Sequence, residues 1–231
     1  MIAVAWLATI AAAPDLNALL SVQLMGTTPV SAVEFFLLVT VMMVAMMLPA
    51  ALPMVAVYHQ MARATQGKSE AIIDAALFSL SYVIIWGSVT VAALIGLMAV
   101  GLMGTLAPPF VVLPGVILVG AGAYQFTSWK QYCLRKCRTP IGFLIGHWRP
   151  GRRGAFRLGV SHSVYCMGCC WLLMAVVFVT GAMGLLWMGV FAFLILVEKV
   201  WNRGEWFSRL MGLGAVVVGG AVASFAIFPG L

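Results

Sequence analysis

Apolar residues run along this chain in blocks too long for a water-facing fold. Residues 30–58, 70–101, 110–129, 158–180, 185–197 and 207–228 are dominated by Leu, Val, Ile, Ala, Phe and Met. Polar residues collect in the gaps between them. A helix of about 20 apolar residues crosses a hydrocarbon core of roughly 30 Å. No run alternates strictly enough for a membrane barrel. The pattern therefore predicts an all-α, polytopic membrane helix bundle of five to six transmembrane helices, one domain over 1–231. Residues 1–13 are apolar but short and read as a short first helix or partial span, closed by Pro14-Asp15. Pro49 and Pro53 predict a kink in the first long span. The 110–129 block is expected to continue as helix through Lys130 to Arg138, until Thr139-Pro140 stops it. Residues 139–157 mix Phe143, Leu144, Ile145 and Trp148 with four arginines, and read as a cytoplasmic interfacial loop. Ala92 and Gly96 form a small-x-x-x-small pair suited to close helix contact.

Composition supports the membrane reading. Only 8% of residues are charged, against about 25% in a soluble domain. The net charge of +7 marks topology, not nucleic-acid binding. Every Lys and Arg lies in one of three gaps, around 63–68, 130–157 and 199–209, and the gaps near Pro108-Pro109 and Gly181-Gly184 have none. Basic residues favour the cytoplasmic side. The expected location is the bacterial inner membrane, multi-pass, with the basic loops cytoplasmic.

Candidate chemistry centres on Tyr165-Cys166-Met167-Gly168-Cys169-Cys170-Trp171. Thiolate and thioether are ligands that soft metals prefer. On a helix, His162, Cys166, Cys170 and Met174 fall four apart on one face, a row rising about 18 Å. Cys169 stands beside them. Cys133 and Cys137 form a second pair, four apart, in the long basic gap. A reducing cytoplasm argues against a structural disulfide there. Met46 and Met47 reach a similar depth to the thiols, and with Met174 are weaker candidate ligands that permit release or passage. One site or two in series remain open. The competing account is packing, since Cys and Met are common core residues. A thiolate, thioether and imidazole set suits copper as Cu(I), with zinc second. His59 and His147 read as surface residues, which leaves haem a poor fit. No catalytic triad or nucleotide loop is present. Glu198-Lys199 reads as a solvated helix end, or else as a charge beside the site.

Several motifs in order carry a resemblance: Ala45-Met46-Met47-Leu48-Pro49, Tyr124-Gln125 with Lys130, Cys133-Leu134-x-x-Cys137-Arg138-x-Pro140, His147-Trp148-Arg149, Gly159-x-x-His162, the Cys166 to Met174 run, and Glu198-Lys199. Together, over about 34–199, they resemble an uncharacterised bacterial family of predicted metal-binding integral membrane proteins. The resemblance implies a multi-span helical protein with a metal site at the Cys and His positions. One departure is Ser163, where glycine is expected after His162, which places the close packing there in question. The functional expectation is copper handling: binding, delivery to a membrane cuproenzyme, or transport. An accessory or assembly subunit of a larger membrane complex, with structural cysteines, is the alternative, and a thiol-redox protein is the third reading. The expected partners are the lipid bilayer and a membrane cuproenzyme or other membrane complex, with no nucleic acid.

Overall fold

The computed structural model describes residue 7 and residues 32–99, 112–179 and 185–227. The expectation for residues 1–13 therefore lies, Leu7 apart, outside the described residues. Among these residues there are eight helices and no strand: α1 (Ala32–Gln66), α2 (Lys68–Ala99), α3 (Leu113–Tyr124), α4 (Ser128–Arg138), α5 (Pro140–His147), α6 (Gly151–Val179), α7 (Leu185–Val200) and α8 (Gly204–Ile227). Four of them, α1, α2, α6 and α8, are long and apolar enough to cross a membrane. The 110–129 and 185–197 blocks give shorter helices of 12 and 16 residues.

Two expectations are corrected by local backbone chemistry. The 110–129 block does not run on into Arg138. Thr127 is extended, and its side chain accepts from the Lys130 amide at 3.3 Å, so α4 starts afresh. A threonine at an N-cap satisfies an orphan amide that a continuous helix would not leave open. Residues 139–157 are also not a loop. Pro140 opens α5, and Gly151, at φ +80, turns the chain into α6. Only glycine adopts that φ without strain. Phe143 and Leu144 are buried while Ile141 and Ile145 face out, so α5 docks into the core. α6 begins earlier than its apolar block, because Arg152, Arg153 and Arg157 occupy the exposed positions of helical turns whose Ala155 and Leu158 are buried.

α2 packs between α1 and α6, α7 lies on α1, and α4 lies on α6. Surface ion pairs join the three basic connections: Arg152 meets Glu70 at 3.5 Å, and Arg135 meets Glu205 at 3.9 Å. Exposed pairs of this kind are worth under about 1 kcal/mol, but their positions show that the basic connections share one end of the bundle. Pro49 and Pro53 both sit inside a continuous α1. Ser163 fits: its hydroxyl donates to the Gly159 carbonyl at 2.7 Å, and Gly159 itself touches α2 at Phe78.

α3 and α8 approach closely through glycines. A Cβ on Gly122 would stand 2.6 Å from the Gly212 carbonyl oxygen, and one on Gly219 would stand 2.8 Å from that of Gly115. These glycines recur every seven residues on both helices, a geometry that small residues permit in membrane bundles. Among the described residues no helix packs on the expected Ala92–Gly96 face, where Gly96 has nothing within 4 Å of a built Cβ. We expect Gly122→Ala and Gly212→Ala to lower the melting temperature in detergent, through overpacking of about 1–3 kcal/mol. Gly214→Ala, on the same helix in open space, should be neutral or stabilising by up to about 1 kcal/mol.

Candidate metal centre

α6 sets the frame. His162, Cys166, Cys170 and Met174 are all buried, as their four-residue spacing predicts for one face turned to the core. His162 is ringed by aromatic side chains: Phe78 and Tyr82 of α2, with centroids at 5.9 and 5.7 Å, and Phe143 of α5 edge-on at 5.6 Å. Tyr82 Oη hydrogen-bonds His162 Nδ1, while Nε2 is buried with no partner among the described residues. When Nδ1–H donates to the tyrosine oxygen, Nε2 presents its lone pair, the arrangement an imidazole ligand needs.

The thiols gather one to two turns along. Cys166, Cys169 and Cys170 are fully buried and unoxidised. The Cys169 and Cys170 thiols fold back on the Cys166 carbonyl at 3.0 and 2.9 Å. α4 brings the other pair to them. Cys137 is half-buried and reaches the Cys169 side chain. Cys133 lies against Gly168, where an added Cβ would stand 2.8 Å from Cys133 Sγ. The structure thus gathers all five cysteines of the sequence between α4 and α6, with His162 one turn nearer the basic end. Met47 of α1 joins them, its Sδ 3.5 Å from Cys170 Sγ. Met46 and Met174 are buried in the same core. His147 is exposed and His59 half-buried.

Charge enters from α7. Glu198 and Lys199 are 1% and 6% exposed, which overturns the solvated helix end. Lys199 Nζ donates to Cys166 Sγ at 2.9 Å. Lys130 Nζ pairs with Glu198 Oε1 at 2.6 Å and also donates to the Cys169 carbonyl. Arg138 holds this end shut by donating to the Trp201 and Asn202 carbonyls, each at 2.7 Å. The two lysines and one glutamate leave one positive charge in excess beside the thiols. On α4, burial and the neighbouring Cys169 hold the Cys133 thiol above its ordinary pKa, against the pull of Lys130. The Cys137 thiol is raised well above its usual range by its bond to Cys169 and then by burial. Both thiols are therefore protonated at rest, and a metal must displace those protons. Among the described residues no three His, Cys, Asp or Glu side chains already stand as a coordination shell. The Cys169 and Cys170 thiols rest on the Cys166 carbonyl through weak S–H donors, so a soft ion must displace protons and rotate these side chains.

Sequence reasoning missed Tyr82 as the partner of His162; for Lys199 it offered a charge beside the site as its second reading, and the structure bears that reading out, with Cys166 as the partner. A signal existed for the first: Asp74, Phe78, Tyr82 and Trp86 recur every fourth residue and are all fully buried.

Among known families, the PpoB2 family, described as a copper chaperone, matches residues 36–222. The chain belongs to this family. The PpoB2 match runs from α1 into α8 and includes every candidate residue named above. It places the chain among copper-handling proteins and gives zinc no support. No curated protein and no solved structure matches the chain.

Two substitutions probe the packing of the site. Tyr82→Phe leaves His162 with both ring nitrogens unpartnered and should cost about 1–3 kcal/mol, read as a lower melting temperature of the copper-free protein. Gly168→Ala should push Cys133 off α6, and accelerate its alkylation by a small maleimide relative to wild type.

Proposed function

We propose that the chain is an integral membrane copper carrier that takes up Cu(I) at the sulfur site between α4 and α6 and hands it to a copper-requiring acceptor in the membrane or beyond it. The observation that carries this reading is the gathering of five free thiols between α4 and α6 inside an apolar bundle, with a buried ammonium, Lys199 Nζ, on one of them, Cys166. Cu(I) bound by two thiolates carries one net negative charge, and Lys199 neutralises it where water cannot. Imidazole from His162 and thioether from Met47 complete a soft, mixed ligand set.

The outward-facing surface supports a lipid setting. Outward-facing positions include Ile84, Ile95, Leu213, Val217 and Phe225, all more than 40% exposed, on helices of spanning length. Such a face is matched by hydrocarbon. The basic end of the bundle then faces the cytoplasm of a bacterial inner membrane. Cys137, half-buried on α4 near that end, is the first thiol an incoming ion meets.

The test is metal analysis of detergent-purified protein from copper-replete cells. Wild-type protein should carry Cu(I), and a Cys166→Ser, Cys169→Ser, Cys170→Ser variant should carry none while remaining folded. A variant that keeps its copper, or wild-type protein that never acquires any, leaves the cysteines as packing and removes the reading.

A further inference from the structure

Sulfur in the core does not stop at the thiols. Met42, Met43, Met46, Met47 and Met54 of α1, Met174 of α6 and Met188 of α7 are buried at 2% exposure or less, and all seven share one core cluster with the cysteines. The Met47–Cys170 contact joins the two sets at 3.5 Å. From that junction both helices carry another thioether one turn farther from the basic end. Met43 is four residues from Met47 on α1, and Met174 is four residues from Cys170 on α6. α7 contributes the next. Lys199 touches Cys166, and Met188 lies about 16 Å along α7 from Lys199, towards the same far end.

Gap-filling is the simpler use of methionine. It does not account for a contact to the thiol cluster with further thioethers beyond it on three helices, while Met54 continues the α1 row towards the basic end. A thioether is soft, neutral and carries no proton. It binds Cu(I) less tightly than thiolate and releases it without waiting for a proton, which suits a ligand that passes an ion on.

We propose that Met47, Met43, Met174 and Met188 form a thioether path that carries Cu(I) from the thiol cluster towards the helix ends opposite the basic connections. Copper enters past Cys137 at one end and leaves at the other. The step is ligand exchange: a Cu–thiolate bond breaks as a Cu–thioether bond forms. Copper stays Cu(I) and no electron moves. The thiolate left behind keeps its charge beside the Lys199 ammonium. This path rests on the copper reading of the thiol site, and its test separates the two.

Full-length protein is placed in liposomes that hold a membrane-impermeant Cu(I) chelator inside, and Cu(I) is supplied outside. The wild type should deliver copper to the trapped chelator. Met43→Leu/Met188→Leu conserves volume and should keep its bound Cu(I), showing that it is folded. Its delivery rate should fall by about tenfold or more through the loss of soft ligands. Undiminished delivery by this variant with copper still bound overturns the path and leaves the thiol site standing, as does a wild type that binds Cu(I) and delivers none. A wild type that binds no Cu(I) overturns both. If the double variant loses its copper, selenomethionine-labelled wild type decides. With Cu(I) beyond the thiol capacity, copper–selenium scattering at the copper edge that persists when Met47→Leu removes the thioether at the thiol site supports the path, and its absence from that variant overturns it.

Discussion

A buried ammonium held against a thiol is the constraint around which the rest of this bundle is built. Lys199 sits in an apolar core with Cys166 Sγ at 2.9 Å. Isolated charges in such surroundings cost several kcal/mol each, even after relaxation. Lys130 answers the same difficulty with Glu198 and the Cys169 carbonyl. Removing one partner from such a pair leaves a stranded charge, at a cost of about 3–5 kcal/mol. The core therefore tolerates its excess positive charge only while sulfur stands ready to become anionic. A site with that bias accepts thiolates bearing a monovalent ion more readily than the bare thiolates alone.

Secondary structure serves this arrangement at each boundary. Thr127 restarts the helix so that α4, and not an extension of α3, presents Cys133 and Cys137 to α6. Gly168 removes the Cβ that would otherwise hold Cys133 away. Arg138 ties the end of α4 to the turn after α7, which keeps Cys137 and Lys199 at the same corner. α5 folds inward and sets Phe143 against His162. Each contact is local, yet together they bring four helices to one point. The Cys169 and Cys170 thiols rest on the Cys166 carbonyl within this frame.

Much of this was legible in the residues. Block length gave the helices, and the gathering of Lys and Arg into three gaps anticipated the single basic end. The four-residue spacing from His162 to Met174 gave the buried face of α6. What stayed hidden depends on contacts between distant segments. Glu198 and Lys199 look like a solvated helix end because a charged pair at a terminus usually is one; only the docking of α7 on α4 and α6 buries them. Tyr82 was one aromatic among many until α2 met α6. The arginines of 149–157 masked the start of α6, since hydropathy averages over exposed and buried faces alike. Spacing alone also left the position of the Cys133–Cys137 pair open, and the fold sets Cys137 against Cys169 and Cys133 against Gly168.

Copper-edge X-ray absorption of the purified, Cu(I)-loaded protein tests the central claim most directly. A monovalent copper signature with a first shell dominated by sulfur, lost when the cysteines of α6 are replaced, is the result this account predicts. A shell of nitrogen and oxygen alone, or a spectrum unchanged by those replacements, would contradict it.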